Sequence, residues 1–316
     1  MSTHQSTQPE AGSPAAIHHI TDAASGLDAF LVLYDLSLGP AFGGIRFRSY
    51  PDAAAAREDA VGLARQMAWK CALAGLDAGG GKAVVRADRL IDRAAACGVL
   101  GDFIQGLGGQ FRTAGDLGAT PDDVRAIQSR TGYIVAPEIL EGLADSVAVG
   151  LLAAIEALGP RIGSEDLNGL AVAVQGVGDI GLSLVRRLVN RGARPVVADT
   201  SREAVGRALE LPGVSLVSPD QVLDTSAPVL SPCAVGGVID REAAGRLRCR
   251  AIVGGANRIL TGEGTGEELW RRRIWYAPDF LVNSGAVIEG VFLALHSRPA
   301  GELEVARIGE RVADLM

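Results

Sequence analysis

AVAVQGVGDIGLSLVRRLVNRGARPVVADT, residues 171–200, decides the fold. Five strand-forming residues, AVAVQ, run into a glycine turn. A helical pattern follows, IGLSLVRRLVNRG, and then a second apolar strand that closes at Asp199. The turn spells GxGxxG through Gly176, Gly178 and Gly181. That spelling alone is weak. Here a strand precedes it, a helix opens from it, and an acidic residue stands 23 positions after Gly176, which together form a dinucleotide-binding signature. Gly176 makes the tight turn, Gly178 lets a pyrophosphate approach the backbone, and Gly181 lets helix and strand pack closely. With Val177, Asp179 and Ile180 they form a loop whose helix-start N–H groups face the phosphates. Asp199, with Thr200 beside it, would accept hydrogen bonds from the adenosine ribose, which favours NAD over NADP. Arg202 is near enough to soften that preference. The competing reading is a glycine turn that holds no ligand.

Outward from this stretch, short apolar strands recur at PVLSP, RAIVGGA and IWYAP with helical stretches between them. That is a βαβ alternation and implies a parallel sheet. The apolar helix SVAVGLLAAIEAL begins this second unit near Asp145. A first unit precedes it. AFLVLYDL is a strand, SLGPAFGG a loop and IRFRSY a strand. A long helix then starts from Asp52 as N-cap and is stopped by the glycines at 79–81. KAVVRA is the next strand and RAAACGVLGDFIQGL a helix. GQFRTAGDLGAT is a strand and loop, and PDDVRAIQSR a helix with Pro121 in its first turn. The expected architecture is two-domain α/β. Residues 1–15 form a disordered polar tail, 16–144 the first domain and 145–285 a Rossmann domain, with helices over 286–316 packing back toward the first. A cleft between two such domains is the natural place for a reaction.

The bulk numbers narrow the function. At 316 residues, 48% hydrophobic and 21% charged, the chain is globular and long enough for two cores. A net charge of −7 argues against a nucleic-acid partner. The run Arg271-Arg272-Arg273 reads as a solvated helix end or a subunit contact. Cys71, Cys97, Cys233 and Cys249 show no metal-ligand spacing, so free buried thiols in a reducing cytoplasm are expected. Three of the four histidines, His4, His18 and His19, lie near the start, and no histidine-based metal site is expected. The opening residues lack the apolar core of a signal peptide, and no apolar run reaches membrane-spanning length.

One stretch resists a purely structural reading. LDAGGGKAVV, residues 76–85, carries a lysine in a chain that avoids lysine: of 30 basic residues only Lys70 and Lys82 are not arginine. Arginine and lysine are interchangeable on a solvated surface, but not where an amine must lose its proton or act as a compact point charge. Either codon bias has left two chance survivors, or a site needs amine chemistry.

RQMAWKCALAGLDAGGGKAVV, FRTAGDLGAT, VAVQGVGDIG, SPCAVGGVI, IVGGANRIL, YAPDFLVNSGAVI and LGPAFGGIRF stand in the order, and near the spacing, of the glutamate/leucine/phenylalanine/valine dehydrogenases. From about residue 18 to 316 the chain resembles that family, and the GGGK stretch is the most diagnostic part. The resemblance implies NAD-dependent oxidative deamination of an L-amino acid to a 2-oxo acid and ammonia, in a homo-oligomer built through the first domain. It implies that Lys70 binds the substrate α-carboxylate, that Lys82 is the catalytic amine and that Asp116 shuttles protons. Gly43 and Gly44 would let substrate approach the backbone. Asn257 and Asn283 would lie near nicotinamide and substrate, and Cys233 and Ala234 would line the cofactor cleft. Burial and a second ammonium, Lys70, would bring Lys82 toward neutrality. Family members acting on glutamate use a further lysine for the side-chain carboxylate. This chain has none, so Phe42, Met67 and Val287 are expected to form an apolar side-chain pocket.

The sequence also departs from the family. Val147-Ala148-Val149-Gly150 stands where Thr-Ala-x-Gly is usual, and Val135 where a threonine is common. The chain ends 33 residues after Asn283, which is expected to shorten the helices that join the domains. Two other readings remain: a non-catalytic NAD-binding sensor or scaffold, and a specialised-metabolism oxidoreductase for an unusual amino or 2-oxo acid.

Overall fold

The structure is a computed structural model that describes residues 13–136 and 142–315. The expected disordered tail therefore lies, for residues 1–12, outside the described residues. From Ala15, whose N–H donates to the Tyr34 carbonyl, the chain is tied into a sheet.

The first compact unit comprises the described residues up to 136 together with Gly290–Pro299. Its sheet holds β1 (Ala16–Asp22), β2 (Leu27–Asp35), β3 (Ala41–Arg48), β4 (Gly79–Arg86) and β5 (Phe111–Gly115) in the order β1-β2-β4-β3-β5. β1–β2 and β2–β4 pair antiparallel, while β3 runs parallel to both β4 and β5. Helix α1 (Ala53–Ala74) covers one face, against Phe30, Val32 and Val84. Helices α2 (Arg93–Gly106) and α3 (Pro121–Gln128) cover the other, against Leu31, Ile45 and Phe111. Asp52 caps α1 by accepting from Ala55 N at 2.8 Å. Asp123, with Thr120, forms the capping box of α3 and is gripped by Arg93.

Two glycine runs depart from their sequence reading. The glycines at 79–81 do not stop α1; Gly75, at φ 70°, does. They form the start of β4, and likewise Ala41–Gly44 are strand, not loop. The reason is crowding. A Cβ on Gly80 would stand 2.2 Å from Ala68 N, one on Gly79 1.8 Å from the Asp35 carbonyl, and one on Gly81 2.8 Å from the Phe111 ring. Helix α1 offers an all-small face, Ala56, Ala60, Ala64, Ala68 and Cys71, at helical spacing. It lies directly on the glycine strand.

The second unit comprises Gly142–Glu289 and residues 300–315. Its six strands are β6 (Ala171–Gln175), β7 (Arg194–Ala198), β8 (Ser215–Leu216), β9 (Val229–Pro232), β10 (Ala251–Ile252) and β11 (Trp275–Tyr276). They are all parallel, in the order β11-β10-β9-β6-β7-β8. The order reverses beside β6, the strand that carries the glycine loop, and such a switch point is where doubly wound sheets bind ligands. Helix α4 (Leu143–Leu158) leads into the sheet, α5 (Asp179–Asn190), α6 (Arg202–Leu209), α7 (Arg241–Arg246) and α8 (Thr265–Arg271) lie between its strands, and α9 (Asp279–Val282) follows the last. Helix α10 (Gly285–His296) follows. The tail divides differently from the sequence reading. Residues 290–299 group with the first unit, but α11 (Glu302–Leu315) packs on α4. Val305, Ile308 and Val312 are buried, and Gly150 admits the Ile308 side chain.

The expectation that no apolar run reaches membrane length is corrected: Leu143–Ile162 is long and apolar enough to cross a membrane. Its packing against α5 and α11 accounts for that composition, because it is the central core helix of the second unit.

Candidate active site

In the first unit one sheet face gathers the polar groups. Side chains alternate along a strand. On β4, Gly80 meets the α1 backbone and Val84 packs with the α1 alanines, which puts Lys82, between them, on the same face. On β3, Gly44 and Arg46 reach the same place. A Cβ on Gly44 would sit 3.3 Å from Lys82 Nζ and 2.7 Å from Asp116 Cβ. Asp116 follows β5 immediately. Its Oδ2 accepts from Lys82 Nζ at 2.7 Å and from Arg46 Nε at 3.1 Å.

Lys82 is only 6% exposed. Burial pushes its amine below the ordinary lysine range, Asp116 opposes that fall, and Arg46 adds to it. The second cation acting on Lys82 is thus Arg46, where the sequence suggested Lys70. Burial alone would raise Asp116; the Lys82 charge, then Arg46 and the Leu117 N–H, outweigh it and hold the carboxyl at about 2. Asp116 is therefore an anion held between the Lys82 amine and the Arg46 guanidinium.

Other expected residues are placed as follows. Lys70 is half-buried near the end of α1, on the stripe that carries Asp59 and Met67 by helical spacing. Gly43 does not face open space: its Cβ would collide with the Gly81 carbonyl at 1.8 Å and lie 3.4 Å from Met67 Cγ. Its glycine is a packing requirement, whereas Gly44 adjoins the ionic pair. Phe42 is buried, and its ring tip occupies the space a Cβ on Gly290 would need. Val287 is buried in the second unit. Val135 is buried too, its N–H donating to the Thr113 carbonyl.

The sequence reading missed Arg46, Asp59 and Tyr50. Arg46 Nη1 donates to Asp59 Oδ2 at 3.3 Å, and the Tyr50 hydroxyl donates to the same oxygen. The alternation of IRFR after Gly44 was the available signal, since it puts Arg46 on the Gly44 face.

In the second unit the glycine loop has the expected shape. Gly176 sits at φ 88°, and a Cβ there would strike Ala234 at 2.6 Å. A Cβ on Gly181 would strike the Gly176 carbonyl at 1.9 Å, while one on Gly178 meets nothing within 4 Å. Gly178 therefore borders open space at the start of α5, whose first amides have no intrahelical acceptor. A cleft of about 330 Å³ opens there, lined by Val147, Gly178, Asp179, Ile180, Cys233 and Ala286 among others. Asp199 is already committed to the loop, accepting from Val177 N at 2.7 Å and Ser201 N at 2.8 Å. It also lines a cleft of about 490 Å³ with Arg202, Val205, Leu216 and Pro219, an apolar-walled space beside a carboxylate. Thr200 is exposed beside it. Asn283 is buried and donates to Asn257 Oδ1 at 2.9 Å, fixing that exposed amide. All four cysteines are free, and Cys233 alone among them is not fully buried.

Comparison with known proteins decides the family. Residues 15–133 match the Glu/Leu/Phe/Val dehydrogenase dimerisation domain, and residues 202–294 match the Glutamate/Leucine/Phenylalanine/Valine dehydrogenase domain. The chain belongs to the Glu/Leu/Phe/Val dehydrogenase family. It is 38% identical to the leucine dehydrogenase of Thermoactinomyces intermedius over 273 residues, covering 84% of this chain and 75% of that one. It is 36% identical to the phenylalanine dehydrogenase of Lysinibacillus sphaericus over 279 residues, 85% of this chain and 73% of that one. Among solved structures, the L-tryptophan dehydrogenase from Nostoc punctiforme aligns with a TM-score of 0.83 at 30% identity, over 96% of this chain and 88% of that one. As a member of the Glu/Leu/Phe/Val dehydrogenases, the chain is an amino-acid dehydrogenase, an oxidoreductase with a nucleotide-binding Rossmann-type unit.

Proposed function

We propose that the chain catalyses reversible NAD-dependent oxidative deamination of an apolar or aromatic L-amino acid to its 2-oxo acid and ammonia. The observation that carries this reading is the buried Lys82–Asp116 pair on the Gly44 face of the first unit. The nucleotide fits the second unit. The Gly178 position leaves open space at a helix start, and the Asp199 cleft offers a carboxylate and apolar walls to an adenosine. Gly176, Val177, Gly178, Asp179, Ile180 and Gly181 would cradle the pyrophosphate. Thr200 would lie beside the ribose, and Cys233, Ala234, Asn257 and Asn283 near the nicotinamide end. When bound, NAD accepts the hydride released from the substrate α-carbon.

The chain's own residues do the rest. Lys70 binds the α-carboxylate as a fixed ammonium. Lys82, its amine held low by burial, takes the proton of the attacking water. Asp116, held as an anion by Lys82 and Arg46, passes protons to and from the substrate nitrogen. Gly44 leaves room for substrate beside both. Phe42 and Met67 present an apolar surface to the side chain, and no third lysine is present to hold a carboxylate. The leucine, phenylalanine and tryptophan activities named for its relatives support an apolar or aromatic substrate. The match to a dimerisation domain supports a homo-oligomer formed through the first unit, and the free thiols suit the cytoplasm.

The test is NADH oxidation at 340 nm with ammonia and a panel of branched, aromatic and acidic 2-oxo acids. Branched or aromatic acids are expected to turn over, with 2-oxoglutarate at least about a hundredfold slower, since its second carboxylate would be left unpaired. Preference for 2-oxoglutarate would overturn the substrate class. NADH binding with no turnover of any acid would point to a sensor.

A further inference from the structure

We propose that Arg46 is a positioning residue: from β3 it holds Asp116 against Lys82 through Asp116 Oδ2, and Asp59 on α1 in turn holds Arg46. The inference rests on the proposed roles of Lys82 and Asp116, and it adds a group those roles do not include. Three observations carry it. Arg46 and Lys82 converge on one oxygen, Asp116 Oδ2, at 3.1 and 2.7 Å. The other arm of the same guanidinium reaches Asp59 Oδ2 at 3.3 Å, where the Tyr50 hydroxyl also donates. The Arg46 side chain is only 15% exposed, so the fork is fixed by packing as well as by its partners.

A flexible carboxylate at the end of β5 would otherwise swing through several rotamers. With one oxygen pinned between a fork and an ammonium, it is held in place for proton transfer at Lys82. The chain Tyr50–Asp59–Arg46–Asp116–Lys82 joins β3, α1, β4 and the end of β5. Lysine in place of Arg46 could not reach both carboxylates, because one ammonium lacks the planar fork.

The charge arrangement yields a signature that packing alone would not. The charged groups acting on Lys82 are Asp116 after β5, Arg46 on β3 and Asp59 on α1, and Tyr50 beyond β3 donates to Asp59. Arg46 lowers the Lys82 amine while Asp116 and Asp59 raise it. Removing Arg46 should therefore raise the Lys82 pKa, and removing the Asp59 charge should lower it.

The presence of only two lysines makes this directly measurable. Full-length protein is labelled with 13C-lysine, and its two side-chain resonances, assigned with Lys70→Arg, are titrated by NMR. Arg46→Gln is expected to move the Lys82 midpoint up by about half a unit or more, and Asp59→Asn to move it down. Where Arg46→Gln fails to fold, Asp59→Asn decides alone by the sign of its shift. In the same proteins, the alkaline shift in Arg46→Gln should reappear in the acidic limb of the kcat/KM profile for deamination. A Lys82 midpoint unmoved in folded Arg46→Gln, or moved up in Asp59→Asn, overturns the positioning role. The titration needs no substrate, so a failure of the deamination reading, seen as absent turnover in the wild type, is told apart from a failure of this one.

Discussion

Lys82→Ala is expected to lower kcat/KM for deamination about a thousandfold or more, and Lys82→Arg to do nearly the same. The first substitution removes the amine from Asp116. The second keeps a cation there but replaces a group that can lose its proton with one that cannot. General acid–base catalysis contributes about a hundred- to ten-thousandfold, and the water activation proposed for Lys82 falls in that range. NADH affinity, measured by fluorescence, stays within about twofold, because the nucleotide loop belongs to the other unit. Steady-state rates beside NADH titrations check the pair of results. An active Lys82→Arg enzyme would show that Lys82 serves only as a charge.

Gly80→Ala is expected to cost at least about 3 kcal/mol of stability, at the upper end of what overpacking does. The new methyl would lie 2.2 Å from Ala68 N and 2.5 Å from the Ala64 carbonyl, which are backbone atoms and cannot swing aside. The relief available is to lift α1, with Asp59 and Lys70, off the strand that carries Lys82. Gly62→Ala on the same helix is the control. Nothing stands within 4 Å of its Cβ, so it stabilises by about 0.5–1 kcal/mol through helix propensity. Urea unfolding of the two variants should therefore move the midpoint in opposite directions. Equal midpoints would remove the packing explanation for the glycine strand.

These two predictions separate what the sequence disclosed from what it hid. The Rossmann-type unit was legible because its signals are local. A glycine loop between strand and helix, an acid at the end of the next strand and recurring short apolar strands all survive without knowledge of tertiary contacts. The first unit was less so. Glycines 43–44 read as loop and 79–81 as a helix stop under local rules, yet both runs lie in strands, because the α1 backbone, neighbouring carbonyls, the Phe111 ring and Asp116 leave no room for side chains. No local rule carries that information.

The site divides in the same way. Lys82 stood out because lysine is so rare here, and Asp116 through its motif. Arg46 was hidden among the many arginines, and only the meeting of β3, β4 and β5 shows it on the Asp116 carboxylate. As the second cation acting on the Lys82 amine, Arg46 takes the place that the argument from composition gave to Lys70, because composition could see two amines but not their surroundings. Gly43 and Gly44 were read as one feature; strand geometry gives the first to packing and the second to the ionic pair.

The most direct test of the deamination chemistry is the identity of the product. Purified protein is incubated with NADH, ammonia and the branched or aromatic 2-oxo acid it turns over fastest, and the product is resolved by chiral chromatography. The expected result is one L-amino acid formed per NADH oxidised, with no product when ammonia is left out and none in Lys82→Arg. A 2-hydroxy acid formed without ammonia, or an unimpaired Lys82→Arg enzyme, would contradict amine-assisted deamination by this chain.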